Sequence, residues 1–463
     1  MMIQTAPKVK PELDPEFVPA VLWNRSYLKA VAGTGKARKI VLALNRPNGT
    51  VSTFATEIFP HEGEYKALNV KYVERLIKFM LWMKGGYRVT VAGCAALADD
   101  IRGIYSAKGA RAFDYEIMGE RIYGKPFEVA ACALDDAPES HEIQVQLGGH
   151  MDGCRIGFDL GGSDRKCAAV KDGEVVFTEE IKWDPYFQKD PEYHRLGILD
   201  SLKRAAEKLP RVDAIGGSAA GVYVDNKPRI ASLFRGVGKE DFQKSVQNIF
   251  IDIQKQYNVP LIVANDGEVT ALAGAMSMKS NGVLGISMGT SLAAGYVNMQ
   301  GNITDWLNEL AFTPIDYRDD APADEWSGDI GCGVQYFSQQ GVARLAPLAG
   351  IEFPEDMPFP ERLVGVQKLM SDGDERAAKV YRTIGTYFAY AVAHYADFYE
   401  IRNLLILGRV TSGDGGEVIL QVAEDVLSKE FPALAKQITF RTPDEQFKRH
   451  GQAVVAASLP AIK

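Results

Sequence analysis

Residues 156–166 read IGFDLGGSDRK, an apolar run that ends in a carboxylate and a glycine-rich turn. Glycines allow a backbone to approach an anion closely and to direct N–H groups at it. A carboxylate at a strand end is placed to hold Mg²⁺ through water, and the turn adds a hydroxyl and a positive charge. Many hairpins carry Asp and Gly for backbone reasons alone, so this motif needs support from elsewhere. The candidate phosphate- and magnesium-binding residues are Asp159, Gly161, Gly162, Ser163 and Lys166.

A second segment, residues 283–291, supplies that support. It reads VLGISMGTS, which is again an apolar strand that enters a turn with glycine and two hydroxyls, and a strand-like run follows at 293–297. Two phosphate-turn hairpins on strand pairs are what a duplicated fold would contain. The candidate residues of the second phosphate turn are Gly289, Thr290 and Ser291.

Residues 259–268, which read VPLIVANDGE, predict a buried strand with Asn265 and Asp266 at its carboxyl end. Open α/β sheets bind their ligands at this end of their strands. Asp266 is therefore a candidate for a role in catalysis. Aspartate is also favoured as the N-cap of a helix, here one over residues 267–276, and the two roles are compatible.

Residues 403–408 read NLLILG and predict a further strand, which a glycine-rich loop and a helix start follow at residues 409–416. Such a loop suits the close approach of a nucleotide. The candidate adenosine-binding residues are Gly408, Ser412 and Gly413.

The order of these motifs resembles the sugar-kinase branch of the actin-like, Hsp70-like ATPase fold, and in particular the ROK group of bacterial sugar kinases and repressors. The resemblance covers roughly residues 151–463. It implies an α/β fold of two actin-like (ribonuclease H-like) lobes with a central cleft, together with ATP and Mg²⁺ as cofactors. It also implies that Asp266 is the general base toward the sugar hydroxyl and that Asp159 is the carboxylate associated with Mg²⁺. The adenosine loop matches less well, because Arg409 interrupts the usual run of glycines.

The sugar pocket departs from the ROK pattern. The family's Gly-Glu-x-Gly-His stretch corresponds to residues 308–312, where Glu309 is kept and Phe312 takes the place of the histidine. Of the family's zinc cluster only Cys332 remains, and structural zinc requires four ligands. We therefore expect no zinc, with Mg²⁺ bound only through ATP, and an altered substrate pocket. The candidate substrate-binding residues are Gly217, Ser218, Asn265 and Glu309.

Composition fits a cytoplasmic enzyme. The chain has 463 residues, a net charge of −8 and a pI near 5.5, which gives no electrostatic footprint for nucleic acid or an anionic membrane. No apolar stretch reaches the ~18 residues that a membrane helix needs, and the polar N-terminus does not resemble a signal peptide. The five scattered cysteines predict reduced thiols that are mostly buried.

The first 150 residues predict a β-β-α-β-α-β order and thus an additional N-terminal α/β domain. ROK repressors carry a DNA-binding helix-turn-helix at this position, so its absence argues against a transcription factor. The sequence assigns no role to this domain, for which a structural cap, a dimer surface and a lid are the options.

Lys78 and Lys84 with Trp82 predict a solvated helix face rather than a basic patch. The acidic run 316–329 predicts a solvated loop, in which Trp326 is a candidate for stacking on a polyol.

These observations predict domains at residues 1–150, 151–280 (lobe I) and 281–463 (lobe II), with the last helix returning to lobe I. The predicted activity is ATP-dependent phosphorylation of a sugar or related polyol, a small-molecule partner, with a homodimer as one option for the assembly. Two alternatives stand beside it. One is a sugar-binding regulator without catalysis, which Phe312 and the lost zinc cluster favour. The other is an ATPase of the same fold that transmits motion to a partner.

Overall fold

The computed structural model describes residues 3–142, 147–442 and 445–462, with side chains for all of these except 445–450. The protein is mixed α/β, and its described strands form four sheets. The described residues divide into two compact units. Unit 1 comprises those within 1–143, 286–293 and 306–441, and unit 2 comprises those within 144–285, 294–305 and 442–463. The domain boundaries predicted above stay a prediction, since contact-based units need not coincide with folding domains.

The strands and helices are numbered along the chain. The strands are β1 Arg38–Asn45, β2 Val51–Ile58, β3 Arg88–Ala92, β4 Glu128–Cys132, β5 Cys154–Leu160, β6 Asp164–Lys171, β7 Glu174–Lys182, β8 Ala214–Ala219, β9 Val222–Val224, β10 Lys227–Ile230, β11 Leu261–Asn265, β12 Val283–Met288, β13 Leu292–Val297, β14 Asn403–Leu407 and β15 Thr439–Arg441. The helices are α1 Ala20–Gly33, α2 Tyr65–Lys84, α3 Ala95–Ile104, α4 Ala112–Glu116, α5 Pro191–Ala206, α6 Lys239–Asp241, α7 Ile249–Tyr257, α8 Asp266–Met278, α9 Val334–Phe337, α10 Gln339–Leu348, α11 Phe359–Ser371, α12 Glu375–Tyr395, α13 Asp414–Glu430, α14 Pro432–Ala435 and α15 Glu445–Ala457.

Unit 2 is built on a five-stranded sheet with the order β11-β8-β5-β6-β7. The hairpin strands β5, β6 and β7 pair antiparallel, whereas β8 and β11 join β5 in parallel. This mixed order is that of a ribonuclease H-like sheet. Every residue of β5 is buried, which explains its nearly continuous apolar sequence. The carboxyl ends of β5, β8 and β11 consequently lie side by side.

Helices cover both faces of this sheet. On one face, α5 and α7 pack on an apolar cluster that includes Phe158, Ile215 and Phe250. The other face carries α15, which packs against β5, β6, β8 and α8. The strands can accept α15 closely because Gly157 and Gly216 have no side chain, since a Cβ at either position would lie 1.7 Å from a backbone oxygen of α15.

Helix α5 of unit 2 begins where the sequence supplies a cap. Asp190 accepts a hydrogen bond from the backbone N–H of Glu192 at 2.9 Å, and Pro191 occupies the first turn of α5, where its missing N–H costs nothing. The apolar stripe over residues 242–257 is core as expected. It is not one helix, however, because a π-helical turn over Phe242–Val246 precedes α7.

Unit 1 contains a sheet of order β2-β1-β3-β4, in which β1 pairs antiparallel with β2 and β3 while β4 joins β3 in parallel. The β-β-α-β-α-β order predicted for this segment is confirmed by β1, β2, α2, β3, α3 and β4. Helix α1, which precedes them, was not predicted. A second sheet has the order β13-β12-β14-β15. Beside it, the long helix α12 packs on α13 and is buried along most of its length, as its aromatic sequence predicts.

A buried ionic cluster within unit 1 shows that two expectations were wrong. Lys78 does not lie on a solvated face: it is fully buried, contacts Asp114 at 3.0 Å and also contacts Asp329. Arg111 pairs with the same Asp329. The run 316–329 is likewise not a solvated loop throughout, because its carboxylates at positions 316, 324 and 329 are buried. The ion pairs of Asp329 with Lys78 and Arg111 thus join segments of unit 1 that are distant in sequence.

The five cysteines are free thiols, four of them buried and Cys132 half-buried, which confirms the expectation of reduced cysteines. Within the described part of the chain, no helix is both long and apolar enough to cross a membrane.

Candidate functional site

Two carboxylates mark the candidate site in unit 2, of which Asp159 is buried and Asp266 half-buried. Asp159 lies near the carboxyl end of β5, and Asp266 is the first residue of α8, directly after β11. Strands β5 and β11 flank β8 in the sheet, and both run parallel to it. The sheet therefore carries the two side chains at the same edge, although 107 residues of sequence separate them. Their positions at strand ends are those expected from the sequence.

The electrostatics of the pair are governed by burial. Desolvation raises the pKa of Asp159 from 3.8 to about 6; the Ser218 hydroxyl and Lys166 oppose this rise, and Asp266 and Asp164 add to it. Desolvation also raises the pKa of Asp266, against a backbone hydrogen bond from Gly267. A carboxylate with a raised pKa is a stronger base, and a base works best when its pKa approaches the working pH.

Asn265 fixes the position of Asp266. Its side-chain oxygen accepts from the N–H of Gly267 at 2.7 Å and thereby caps α8, and its amide nitrogen donates to the backbone oxygen of Gly221 at 2.7 Å. The sequence suggested Asp266 as the helix cap, but Asn265 performs that role. Asp266, which heads the helix, accepts from the N–H of Gly267 at 3.0 Å. Its carboxylate therefore keeps most of its acceptor capacity for other groups.

The first glycine turn closes with a hydrogen bond from the N–H of Gly161 to the backbone oxygen of Asp164, at 2.9 Å. Beside it, the ammonium group of Lys166 lies 3.9 Å from the Asp159 carboxylate and 3.5 Å from that of Asp164. The Ser163 hydroxyl donates to Asp164 at 2.9 Å. The turn thus combines a hydroxyl and a half-exposed cation with a buried carboxylate.

Two aromatic residues that sequence reasoning missed support this turn. The indole N–H of Trp183 donates to the backbone oxygen of Gly161 at 2.8 Å. The hydroxyl of Tyr186 lies against Gly162, where a Cβ would approach it to 2.0 Å. The guanidinium of Arg235 in turn stacks on the Tyr186 ring at 4.1 Å. These contacts account for glycine at position 162 by close packing. No local sequence pattern would have revealed them.

The two remaining predicted substrate residues of unit 2 lie on β8. Ser218 is fully buried and is the register partner of Asp159, which brings its hydroxyl toward that carboxylate. Gly217 faces the ring of Phe158, which lies 2.2 Å from the position of a Cβ there. This packing explains the glycine. A role for either residue in substrate binding stays a prediction.

Gln452 of α15 also belongs to this site and was not foreseen. Its amide oxygen accepts from the Thr270 hydroxyl at 2.6 Å, and its amide nitrogen donates to the two Asp159 oxygens at 3.1 and 3.0 Å. The opposite orientation would let the amide nitrogen donate to the backbone oxygen of Asp266 at 3.3 Å but would place the amide oxygen against the carboxylate, so the orientation is assigned from the shorter contacts to Asp159. Asp159, Gln452 and Thr270 consequently form a chain of contacts from β5 to α8.

The predicted second phosphate turn and adenosine loop belong to unit 1. Gly289 donates to the backbone oxygen of Ser291 at 2.9 Å, a turn like that of the first hairpin, and its own oxygen accepts from the N–H of Gln339 at the start of α10. Gly408 has φ +108° and lies against Met288, where no side chain would fit. The predicted residues at positions 289–291 and at Gly408 are therefore neighbours, because Met288 directly precedes Gly289.

The end of the adenosine loop is also shaped by glycine. Gly413 has φ +72°, a conformation that glycine adopts without strain, and α13 begins directly after it. The Ser412 hydroxyl donates to the backbone oxygen of Gly408 at 3.2 Å. Arg409, which interrupts the run of glycines, lies in a short 3₁₀ turn over Arg409–Thr411.

Glu309 and Phe312 also lie in unit 1. Glu309 directly precedes a 3₁₀ turn over Leu310–Phe312, and Phe312 is the last residue of that turn. The N–H of Glu309 donates to the backbone oxygen of Trp82 at 2.9 Å. The Phe312 ring packs 4.3 Å from the Trp82 ring and 5.2 Å from that of Trp326, whose side chain is 49% exposed. The position of the family's histidine is therefore occupied by an aromatic cluster, which explains why no imidazole is present there.

A bound Mg²⁺ would depend on ligands beyond the protein. Throughout the described residues, no three His, Cys, Asp or Glu side chains lie so as to hold a metal. Asp159, whose pKa of about 6 leaves it ionised at neutral pH, suits a hard cation, which prefers oxygen ligands and retains water. The donor set fits Mg²⁺ that arrives with phosphate oxygens and water.

No protein-family model matches the sequence, and no curated protein does. Among solved structures, a ROK hexokinase from Thermus thermophilus matches with a TM-score of 0.52 and 15% identity, over 66% of this chain and 96% of that one. A ROK family transcriptional regulator, a homologue of the E. coli MLC protein, matches with a TM-score of 0.51 and 17% identity, over 67% of this chain and 79% of that one. The chain therefore shares the fold of these two ROK structures, as its motifs indicated.

Proposed function

We propose that the chain is an ATP-dependent kinase of a sugar or related polyol, a carbohydrate phosphotransferase that acts in the cytoplasm. The observation that carries the proposal is a pair of carboxylates at one edge of the unit 2 sheet, buried Asp159 and half-buried Asp266, both with raised pKa values, beside a glycine turn and Lys166. Phosphoryl transfer requires cradled phosphates, a counter-charge and a base for the attacking hydroxyl. These residues provide the chemical groups for all three.

In this proposal Asp266 is the general base. Its carboxylate is desolvated, which raises its pKa and makes it a better proton acceptor, and the capping of α8 by Asn265 fixes its place. The acceptor hydroxyl gives its proton to Asp266 as its oxygen attacks the terminal phosphorus of ATP. The bond from that phosphorus to the bridging oxygen breaks, and ADP leaves.

The remaining residues bind and orient. Asp159 would hold, through water, the Mg²⁺ that enters with ATP, and this ion would neutralise charge on the phosphates. Lys166 and the N–H groups of Gly162 and Ser163 bind phosphate oxygens, and Gly161 closes the turn that presents these groups. In unit 1, the turn at 289–291 is proposed to bind phosphates, and Gly408, Ser412 and Gly413 to border the adenosine. Asn265 and Glu309, with Gly217 and Ser218 on β8, are proposed to face the acceptor. The two-lobe organisation and the separate N-terminal domain belong to the proposal as well.

The acceptor class rests on the fold, because a solved structure of this fold is named as a hexokinase. The test is a coupled ADP-release screen over a panel of sugars and polyols with the full chain and its Asp266→Asn variant. We expect at least one acceptor to stimulate ADP release by the wild type and none to stimulate the variant. Equal rates for the wild type and Asp266→Asn with every acceptor would refute the kinase.

A sugar-binding regulator without catalysis is the second candidate. The aromatic cluster around Phe312 favours it, and a ROK transcriptional regulator shares the fold. Tight binding of a sugar without ADP release in the same screen would support this candidate. ADP release that no acceptor stimulates would instead support an ATPase that couples to a partner.

A further inference from the structure

We propose that Gln452 is a positioning residue, which orients the Asp159 carboxylate and ties it to the helix that carries Asp266. This inference rests on the proposed kinase function and deepens it. It starts from the two hydrogen bonds, 3.1 and 3.0 Å, by which one amide nitrogen contacts both oxygens of Asp159. Gln452 was assigned no role by the sequence motifs, and it comes from the last helix of the chain.

The chemistry of an amide suits this role. A carboxylate has about four lone-pair sites, and one N–H₂ group that contacts both oxygens occupies only one side of it. The other side stays available to a metal-bound water. Because the amide is neutral, it fixes the plane of the carboxylate without cancelling the negative charge that a cation requires. Lys166, 3.9 Å away, cannot define that plane, since its ammonium group is half-exposed and lies beyond hydrogen-bond distance.

The other end of the amide reaches α8. Its oxygen accepts from the hydroxyl of Thr270, which is buried and lies four residues after Asp266 on the same face of the helix. Gln452 therefore links the metal-side carboxylate to the helix of the base by two hydrogen-bonded steps. A shift of α15 would move Asp159 relative to Asp266.

The backbone just before Gln452 is arranged for this contact. Gly451 interrupts α15 with φ +54° and ψ 153°, a conformation in the left-handed region of φ that favours glycine. The interruption separates the part of the helix that packs on Gly157 and Gly216 from the part before it. Gln452 is the first residue after the break, and its side chain is directed at Asp159 and Thr270.

The test has a spectroscopic part that does not depend on activity. The full chain is labelled with ¹⁵N-glutamine, and the side-chain amide signals of Gln452 are assigned by their loss in Gln452→Met. We expect amide protons shifted downfield from those of exposed glutamines and protected from exchange, and we expect both properties to be reduced in Asp159→Asn, whose amide oxygen is a weaker acceptor than a carboxylate. Signals that match exposed glutamines and do not respond to Asp159→Asn would overturn the proposal.

The second part separates positioning from structural support. With an acceptor from the screen, Gln452→Met is expected to lower kcat roughly ten- to hundredfold, the effect of losing a hydrogen bond to a charged group. The KM for MgATP and the melting temperature should change little. Thr270→Val should lower kcat in the same direction by less, and exposed Gln437→Met serves as the control. A fall in kcat that parallels a fall in melting temperature would show a structural role only. If the wild type transfers no phosphoryl group, the proposed kinase fails, and the amide spectrum still decides the placement of Gln452.

Discussion

Replacing Asp159 by asparagine should stabilise the chain at neutral and alkaline pH. Burial raises the pKa of Asp159 from 3.8 to about 6, so the ionised carboxylate is less stable in the folded chain than in water. Each tenfold change in a protonation equilibrium, or one pKa unit, corresponds to about 1.4 kcal/mol. The rise of about two units therefore lowers the free energy of unfolding by about 3 kcal/mol above pH 6. Asparagine has a similar shape but no charge, so the variant avoids this cost. Its amide oxygen is a weaker acceptor for the Gln452 amide than the carboxylate, which reduces the gain in folding free energy by about 1 kcal/mol.

The sign of the pH dependence follows from the raised pKa. Between about pH 4 and pH 6 the folded state binds more protons than the unfolded state, so the wild type loses stability as the pH rises through this window. Asp159→Asn removes that loss. We expect the free energy of unfolding to exceed that of the wild type by about 2 kcal/mol at pH 8 and to show no excess at pH 4.

The assay is urea unfolding at pH 4, 6 and 8, with Asp184→Asn as the matched control because that carboxylate is exposed in the same unit. The free energy of unfolding of the control should stay within about 0.5 kcal/mol of the wild-type value at each pH. An Asp159→Asn variant that is no more stable than the wild type at pH 8 would contradict the assignment of a desolvated, ionised carboxylate. A strained, functional charge of this kind is typical of sites where activity opposes stability.

Two further substitutions test the packing of each unit. Gly216→Ala should lower the free energy of unfolding by about 1–3 kcal/mol in urea titrations, because the added Cβ would collide with a backbone oxygen of α15. The control Gly238→Ala has open space around it and should change stability little. Equal losses in the two variants would contradict the close approach of α15 to the sheet. Lys78→Met should cost about 3–5 kcal/mol by the same measurement, because it leaves Asp114 and Asp329 buried without their shared cation. Neutralising both carboxylates as well should recover part of that loss, and an additive further loss would argue against the ionic cluster.

Local sequence patterns were sufficient to predict the features that depend on residues close together in the chain. The β-β-α order predicted at the start of the chain matched β1, β2 and α2, and the strand-end motifs placed Asp159 and Asp266 at the carboxyl ends of β5 and β11. Each of these features depends on neighbours in sequence or on a rule of sheet topology. Such features can be predicted from one chain without coordinates.

The features that were missed or misjudged depend on distant partners. Lys78 reads as a surface lysine because its partner Asp329 lies 251 residues away. Gln452 carries no motif, and 182 residues separate it from Thr270. Tyr186 shows its role only when the turn at Gly162 is folded against it. Long-range packing of this kind leaves no periodicity in the sequence.

The central claim is tested most directly with γ-³²P-labelled ATP. The measurement is the rate at which the labelled terminal phosphoryl group is transferred to an acceptor, compared between the wild type and Asp266→Asn at matched nucleotide occupancy. The account predicts a labelled sugar or polyol with the wild type and a rate lower by roughly a hundredfold or more in the variant, which is the loss of a general base, with an unchanged Kd for MgADP. Equal transfer by both proteins would show that Asp266 does not take the proton, and the assignment of the site would then be wrong.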